Sequence, residues 1–186
     1  MILGSAAVAL AAPTVRAATP RRLAFRHAAT GATFNGPWHE ADPVAMAELS
    51  AALADSSAIR PRPFDADAIG IVWEVSTSAR LPSPLVVRSG YRTPAINAAV
   101  HGAGDSQHLR ASALDVEVTA ARMPAVAGIA LALGRGGVGM YPSRGFLHID
   151  SGPVRRWSET GARTVAPVED RIGRIAAAWQ NPGNQR

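Results

Sequence analysis

The sequence predicts an α+β domain in which helices flank a central antiparallel sheet. Three observations carry that expectation. Helix starts are marked by a capping residue followed at once by proline, at Asp42-Pro43 and Thr93-Pro94. Residues 113–118 alternate with period two, as a strand with one buried face does. Two short runs, 138–141 and 146–150, are separated by the turn-forming residues 142–145 and read as a hairpin.

Taken in order, residues 23–25 and 32–34 read as two short strands in a polar stretch interrupted by Pro37. Asp42 then caps a helix carrying Val44, Ala47, Leu49 and Leu53. Pro61 and Pro63 break the chain, and Asp65 starts a second helix with Ile69, Val72, Trp73 and Val75 on its stripe. Residues 85–87 form a strand that ends at Ser89 and Gly90. Thr93 opens a short helix through Val100, and a Gly-, Asp- and Ser-rich loop covers 102–107. In the strand over 113–118, Asp115 and Glu117 share one face. Pro124 begins an apolar helix to about Leu133, the hairpin follows, and residues 166–186 read as a solvated tail.

Composition narrows the chemistry. With 47% hydrophobic and 18% charged residues, 186 residues support one globular domain with a full core. There is no cysteine, which removes Cys-ligated zinc, iron–sulfur clusters and thiol nucleophiles. All 19 basic residues are arginine, which removes Schiff-base lysines and the P-loop lysine. The net charge of +5 is scattered rather than gathered into a stripe, and aromatics are 5%, so nucleic acid is not an expected partner. Residues 2–12 are apolar but too short to span a membrane. Followed by Val15-Arg-Ala17, they predict an export signal over residues 1–18, truncated at its charged start, and hence a periplasmic or otherwise exported protein.

Five histidines remain, and two fall in a suggestive pattern. His108 precedes Asp115 across a loop-to-strand transition, and His148 and Asp150 lie at i and i+2 on another strand. If the strands pair, His108, Asp115 and His148 converge as two imidazoles and one carboxylate, a set that suits zinc better than magnesium. Spacing alone leaves this open against ordinary hydrogen-bonded roles.

The flanking residues add to it. Ser89-Gly-Tyr-Arg-Thr-Pro94, then Ser106-Gln-His-Leu-Arg-Ala-Ser-Ala-Leu-Asp115, then Gly136-Gly-Val-Gly-Met-Tyr-Pro142 and Phe146-Leu-His-Ile-Asp150 occur in that order, followed by Arg155-Arg-Trp157. Together they resemble the zinc-dependent D-alanyl-D-alanine peptidases of the hedgehog/DD-peptidase fold, and within them the exported murein endopeptidase K-like branch. The resemblance covers residues 22–158, with 159–186 left as a C-terminal extension. It implies that His108, Asp115 and His148 bind Zn2+, that Arg92 faces the scissile carbonyl, and that Ser106 helps to hold a peptidoglycan peptide. For Arg92 a surface salt bridge is the bland alternative, and for Ser106 a turn-capping hydroxyl.

Two departures stand out. Ala111 replaces the family glycine after the first ligand, a small change if no positive φ is needed. Gly145 replaces the carboxylate that many relatives place three residues before the last ligand. Asp150 is then the remaining candidate to take the proton from the attacking water or to orient it, with a purely structural role as the alternative.

Other features are set aside. The Gly134–Gly139 run matches a dinucleotide fingerprint literally, but it lies between an apolar helix and a strand, where glycines permit a tight turn. His101 belongs to a helix end, and His27 and His39 to a solvated hairpin. Tyr91 and Trp157 are candidate walls of a substrate groove, with packing as the alternative. There is no G-x-S-x-G elbow. The expected activity is hydrolysis of peptidoglycan stem peptides or crosslinks. Carboxypeptidase specificity and a non-catalytic wall- or partner-binding module are the alternatives.

Overall fold

The computed structural model describes residues 20–159 and 161–165; the expected export signal and the tail from residue 166 lie outside them. β1 (Arg21–His27) and β2 (Thr33–Trp38) form the opening hairpin. Both outrun the expected strands, and β2 continues through Pro37. As the outermost strand of the sheet, β2 loses no ladder bond on its open side to a residue without an N–H.

Three expected helix starts are found where their caps lie. The Asp42 carboxylate accepts from the Val44 and Ala45 N–H groups at the head of α1 (Pro43–Ala52). Asp65 caps α2 (Ala66–Ser78), and Thr93 caps the short α3 (Pro94–Ala99). The fourth, α4 (Met123–Ala132), has no side-chain cap and carries Pro124 in its first turn.

The remaining strands are β3 (Leu85–Ser89), β4 (Ala113–Glu117), β5 (Gly137–Tyr141), β6 (Phe146–Asp150), β7 (Arg155–Ser158) and β8 (Gly161–Val165). They form one eight-stranded sheet in the order β2-β1-β3-β4-β6-β5-β7-β8. Its centre, β3-β4-β6-β5, is antiparallel as expected, whereas β1 joins β3 and β5 joins β7 in parallel. The architecture is α+β with a mixed sheet. β8 extends that sheet beyond residue 158.

Alternation along the central strands creates two faces. Leu114, Val116, Val138, Leu147 and Ile149 point to the core, where α2 and α4 pack on each other and on β6. Asp115, Phe146, His148 and Asp150 point the other way. Registers align Ser89 with Asp115, Asp115 with His148, His148 with Gly139, and Gly139 with Trp157. One transverse row of this open face therefore carries the chemistry.

Candidate metal centre

His108 reaches that row from outside the sheet. It sits in a 3₁₀ turn, Gln107–Arg110, that the sequence does not announce, and the Ser106 hydroxyl caps the turn by accepting from the His108 N–H. The turn ends on Ala111 at φ +56, so the position does adopt the left-handed conformation that glycine takes without cost. Ala111 is nonetheless fully buried, and its methyl group belongs to the core.

Three atoms converge: His108 Nε2, Asp115 Oδ1 and His148 Nδ1. Their separations are 3.2 Å between the imidazoles, 3.2 Å from His108 to Asp115 and 2.9 Å from His148 to Asp115. All three residues are buried. The opposite edge of each ring fixes its tautomer. His108 Nδ1 lies 2.6 Å from the Gly90 carbonyl, which can only accept, so Nδ1 carries the proton and the Nε2 lone pair faces inward. His148 Nε2 lies 2.8 Å from Asp150 Oδ2, which leaves Nδ1 facing inward in the same way. Asp115 Oδ2 is held at 2.6 Å by Arg92, leaving Oδ1 for the cluster.

Three lone pairs aimed at one point require a cation. The spacing is close to that of a metal site, since bonds of 2.0–2.2 Å in tetrahedral array set donors about 3.3–3.6 Å apart. The electrostatics express the same demand as a proton. For His148 burial works downward, but hydrogen bonds to Asp115 and Asp150 win and raise its pKa. Burial pushes His108 down, with Asp115 opposing. Burial works upward on Asp115, but the charge and hydrogen bond of His108, with those of His148, hold it well below the usual carboxylate range. A metal ion would take the place of that proton.

Asp150 stands behind His148. It is 0% exposed and lies on the edge of the His148 ring away from the cluster. Oδ1 accepts from the Gly137 and Gly152 N–H groups and from Arg155 Nη1, and Oδ2 from Arg155 Nη2 at 2.6 Å. Burial works upward on this carboxyl, but His148 and Arg155 bring it down to about 2. Of the three converging residues this carboxylate is hydrogen-bonded to His148 alone, through the ring edge away from the cluster. Arg155 belongs to the Arg155-Arg-Trp157 motif of the sequence, but its pairing with Asp150 was not expected from it.

The glycines of the 136–139 run make this packing possible. A Cβ on Gly137 would stand 2.5 Å from Asp150 Oδ2 and 2.6 Å from Arg155 Nη1, and one on Gly139 would penetrate the Trp157 indole. Without it, Trp157 lies over the row with its ring 5.1 Å from that of His148, and its Nε1 donates to the Tyr141 hydroxyl.

The cluster opens into a cleft of about 990 Å³ lined by Arg92, Ser106, Arg155 and Trp157 among others. Arg92 donates from Nε to the Ser89 hydroxyl at 2.7 Å, and its pairing with Asp115 is buried rather than a surface bridge. Tyr91 is not a wall of this cleft: its ring packs against the core, and its backbone bridges Leu53 and Asp55. His27 also departs from expectation, being 2% exposed instead of solvated, because β1 lies inside the sheet. His39 and His101 are exposed and stand apart from the cluster.

The family model described as peptidoglycan L,D-endopeptidase MepK matches residues 15–157. The chain is 29% identical over 147 residues to the probable peptidoglycan L,D-endopeptidase MepK of Haemophilus influenzae, covering 74% of this chain and 79% of that protein. It is 27% identical over 117 residues to the peptidoglycan L,D-endopeptidase MepK of Escherichia coli K12, covering 60% of this chain and 64% of that protein. With the family model spanning most of its length, the chain belongs to the peptidoglycan L,D-endopeptidase MepK family.

Proposed function

We propose that the protein is an exported zinc peptidase that cleaves peptide bonds in peptidoglycan crosslinks. The observation that carries this reading is the convergence of His108 Nε2, Asp115 Oδ1 and His148 Nδ1 at the base of an open cleft, in a chain of this family. Two imidazoles and one carboxylate favour zinc over the all-oxygen sites of magnesium and calcium. Bound there, zinc supplies a Lewis acid and lowers the pKa of a water to about 7.

The chain's own residues do the rest. The Gly90 carbonyl and Asp150 lock the two imidazoles in the tautomers that present lone pairs inward. Arg92 spends Nε on Ser89 and Nη2 on Asp115, which leaves Nη1 to meet a substrate carbonyl as negative charge develops on its oxygen. Ser106 lines the cleft while capping the His108 turn, so its hydroxyl hydrogen is available to a substrate peptide. Asp150, with Arg155 behind it, is a positioning residue for His148.

A second reading is a non-catalytic wall-binding module. It is favoured by Gly145, which has no side chain, and by the enclosed Asp150, whose oxygens are taken by His148, Arg155 and backbone N–H groups. Digestion of crosslinked muropeptides, followed by product analysis, separates the readings. Conversion of dimers to monomers is the expected result. Shortened monomers with intact dimers would make the enzyme a carboxypeptidase, and binding without any cleavage would make it a module.

A further inference from the structure

Two arginines of the cleft, Arg92 and Arg155, are each committed to a carboxylate at 2.6 Å. Two others, Arg88 at the end of β3 and Arg144 in the β5–β6 turn, are exposed on the cleft and form no ion pair with any described residue. Their positions are nevertheless built. Arg88 Nη1 donates to the Arg144 carbonyl, which ties the turn to β3. Both guanidinium groups rest on Phe146, with Cζ 5.8 Å and 4.8 Å from the ring centroid, and Arg144 also lies 5.5 Å from the Tyr141 ring. Tyr141 and Phe146 are stacked at 4.5 Å, so one aromatic platform holds two like charges together.

Among the described residues no carboxylate lies within ion-pair distance of either, although Asp55 and Asp105 line the same cleft. Glu159, whose charge senses Arg144, uses its two oxygens on the Ser143 N–H and hydroxyl. At Gly145 a Cβ would meet only Arg88 Nη1, at 3.8 Å. Two neighbouring guanidinium groups, in ion-pair contact with no described carboxylate and backed by aromatic faces, suit a bidentate anion. Phe146 and His148 point to one face two residues apart on β6, about 7 Å along the strand. An anion held there sits within about two peptide residues of the metal cluster.

We propose that Arg88 and Arg144 form a carboxylate-binding subsite that selects stem peptides with a free carboxylate within two residues of the scissile bond. The identity of this ligand rests on the peptidase reading; the unpaired cation pair does not. The test compares a stem peptide bearing that carboxylate with its amidated counterpart. Binding is measured by calorimetry and hydrolysis as kcat/KM, for the wild type, Arg88→Gln and Arg144→Gln. The wild type is expected to favour the acid by about tenfold, less so at high salt, and each variant to lose most of that preference. Because Arg88 also secures the turn, Arg144→Gln, which keeps its backbone carbonyl, is the decisive variant. Equal binding of acid and amide by the wild type, or a preference that survives in Arg144→Gln, overturns the subsite. Acid-selective binding without hydrolysis supports the subsite and removes the peptidase reading; hydrolysis indifferent to amidation does the reverse.

Discussion

Asp150 holds His148 from behind: its Oδ2 lies 2.8 Å from Nε2, on the ring edge opposite the three converging donor atoms. A carboxylate so placed raises the basicity of the inward nitrogen and fixes its direction. Asp150→Asn keeps the shape but removes the charge, and should weaken metal affinity about 10- to 100-fold in a chelator competition. Asp150→Ala additionally leaves Arg155 buried without its partner, which should cost about 3–5 kcal/mol of stability. A variant Asp150→Asn with native metal affinity would reduce this pair to packing.

Arg92 tests electrostatic stabilisation of the reaction. Arg92→Ala should lower kcat by about 10²–10³ while the protein still binds one zinc. Arg92→Lys should rescue little, because an ammonium cannot serve Ser89, Asp115 and a substrate oxygen at once. If instead zinc is lost and turnover per zinc is unchanged, Arg92 only secures Asp115. Elemental analysis beside steady-state kinetics distinguishes these outcomes.

His27 should make stability depend on pH. Its Nδ1 accepts from the Ala29 and Thr30 N–H groups, its Nε2 has no partner, and burial pushes its pKa below 6.5 despite the opposing charge of Asp55. The unfolded chain therefore binds a proton near pH 6.5 that the folded chain refuses. The stabilising contribution is present above that pH and is lost as pH falls below it. His27→Asn retains an acceptor for the turn. Between pH 7.5 and 5.5 its Tm should fall less than that of the wild type; parallel curves would exclude the effect.

The glycine run can be probed without replacing a polar side chain. Gly137→Ala drives a methyl against the Asp150–Arg155 pair and should cost about 1–3 kcal/mol. At about 2–4 °C per kcal/mol for a chain of this size, calorimetry resolves that loss. Gly139→Ala should displace Trp157 from its place beside His148, visible as a change in tryptophan fluorescence.

What the sequence disclosed was local or periodic. Asp42, Asp65 and Thr93 announce helices because a cap bonds within its own first turn. Period-two alternation put His148 and Asp150 on one face, and the ordered motifs pointed to His108 and Asp115 before any strand pairing was visible. What stayed hidden depends on partners distant in the chain. Tyr91 turns toward the core because its backbone is bound between Leu53 and Asp55. His27 is buried because β3 comes to lie beside β1. The seclusion of Asp150 arises from Gly137, Gly152 and Arg155 closing around it, and no pattern within a single strand encodes that.

The proposed function requires that a metal held by His108, Asp115 and His148 be needed to cut crosslinked peptidoglycan. The most direct measurement is zinc content and muropeptide dimer cleavage on the same samples: the purified protein, the chelated protein, the zinc-restored protein and His108→Ala. One zinc per chain is expected, with cleavage lost on chelation and regained with zinc, and neither zinc nor cleavage in His108→Ala. Undiminished cleavage by protein free of zinc would contradict it.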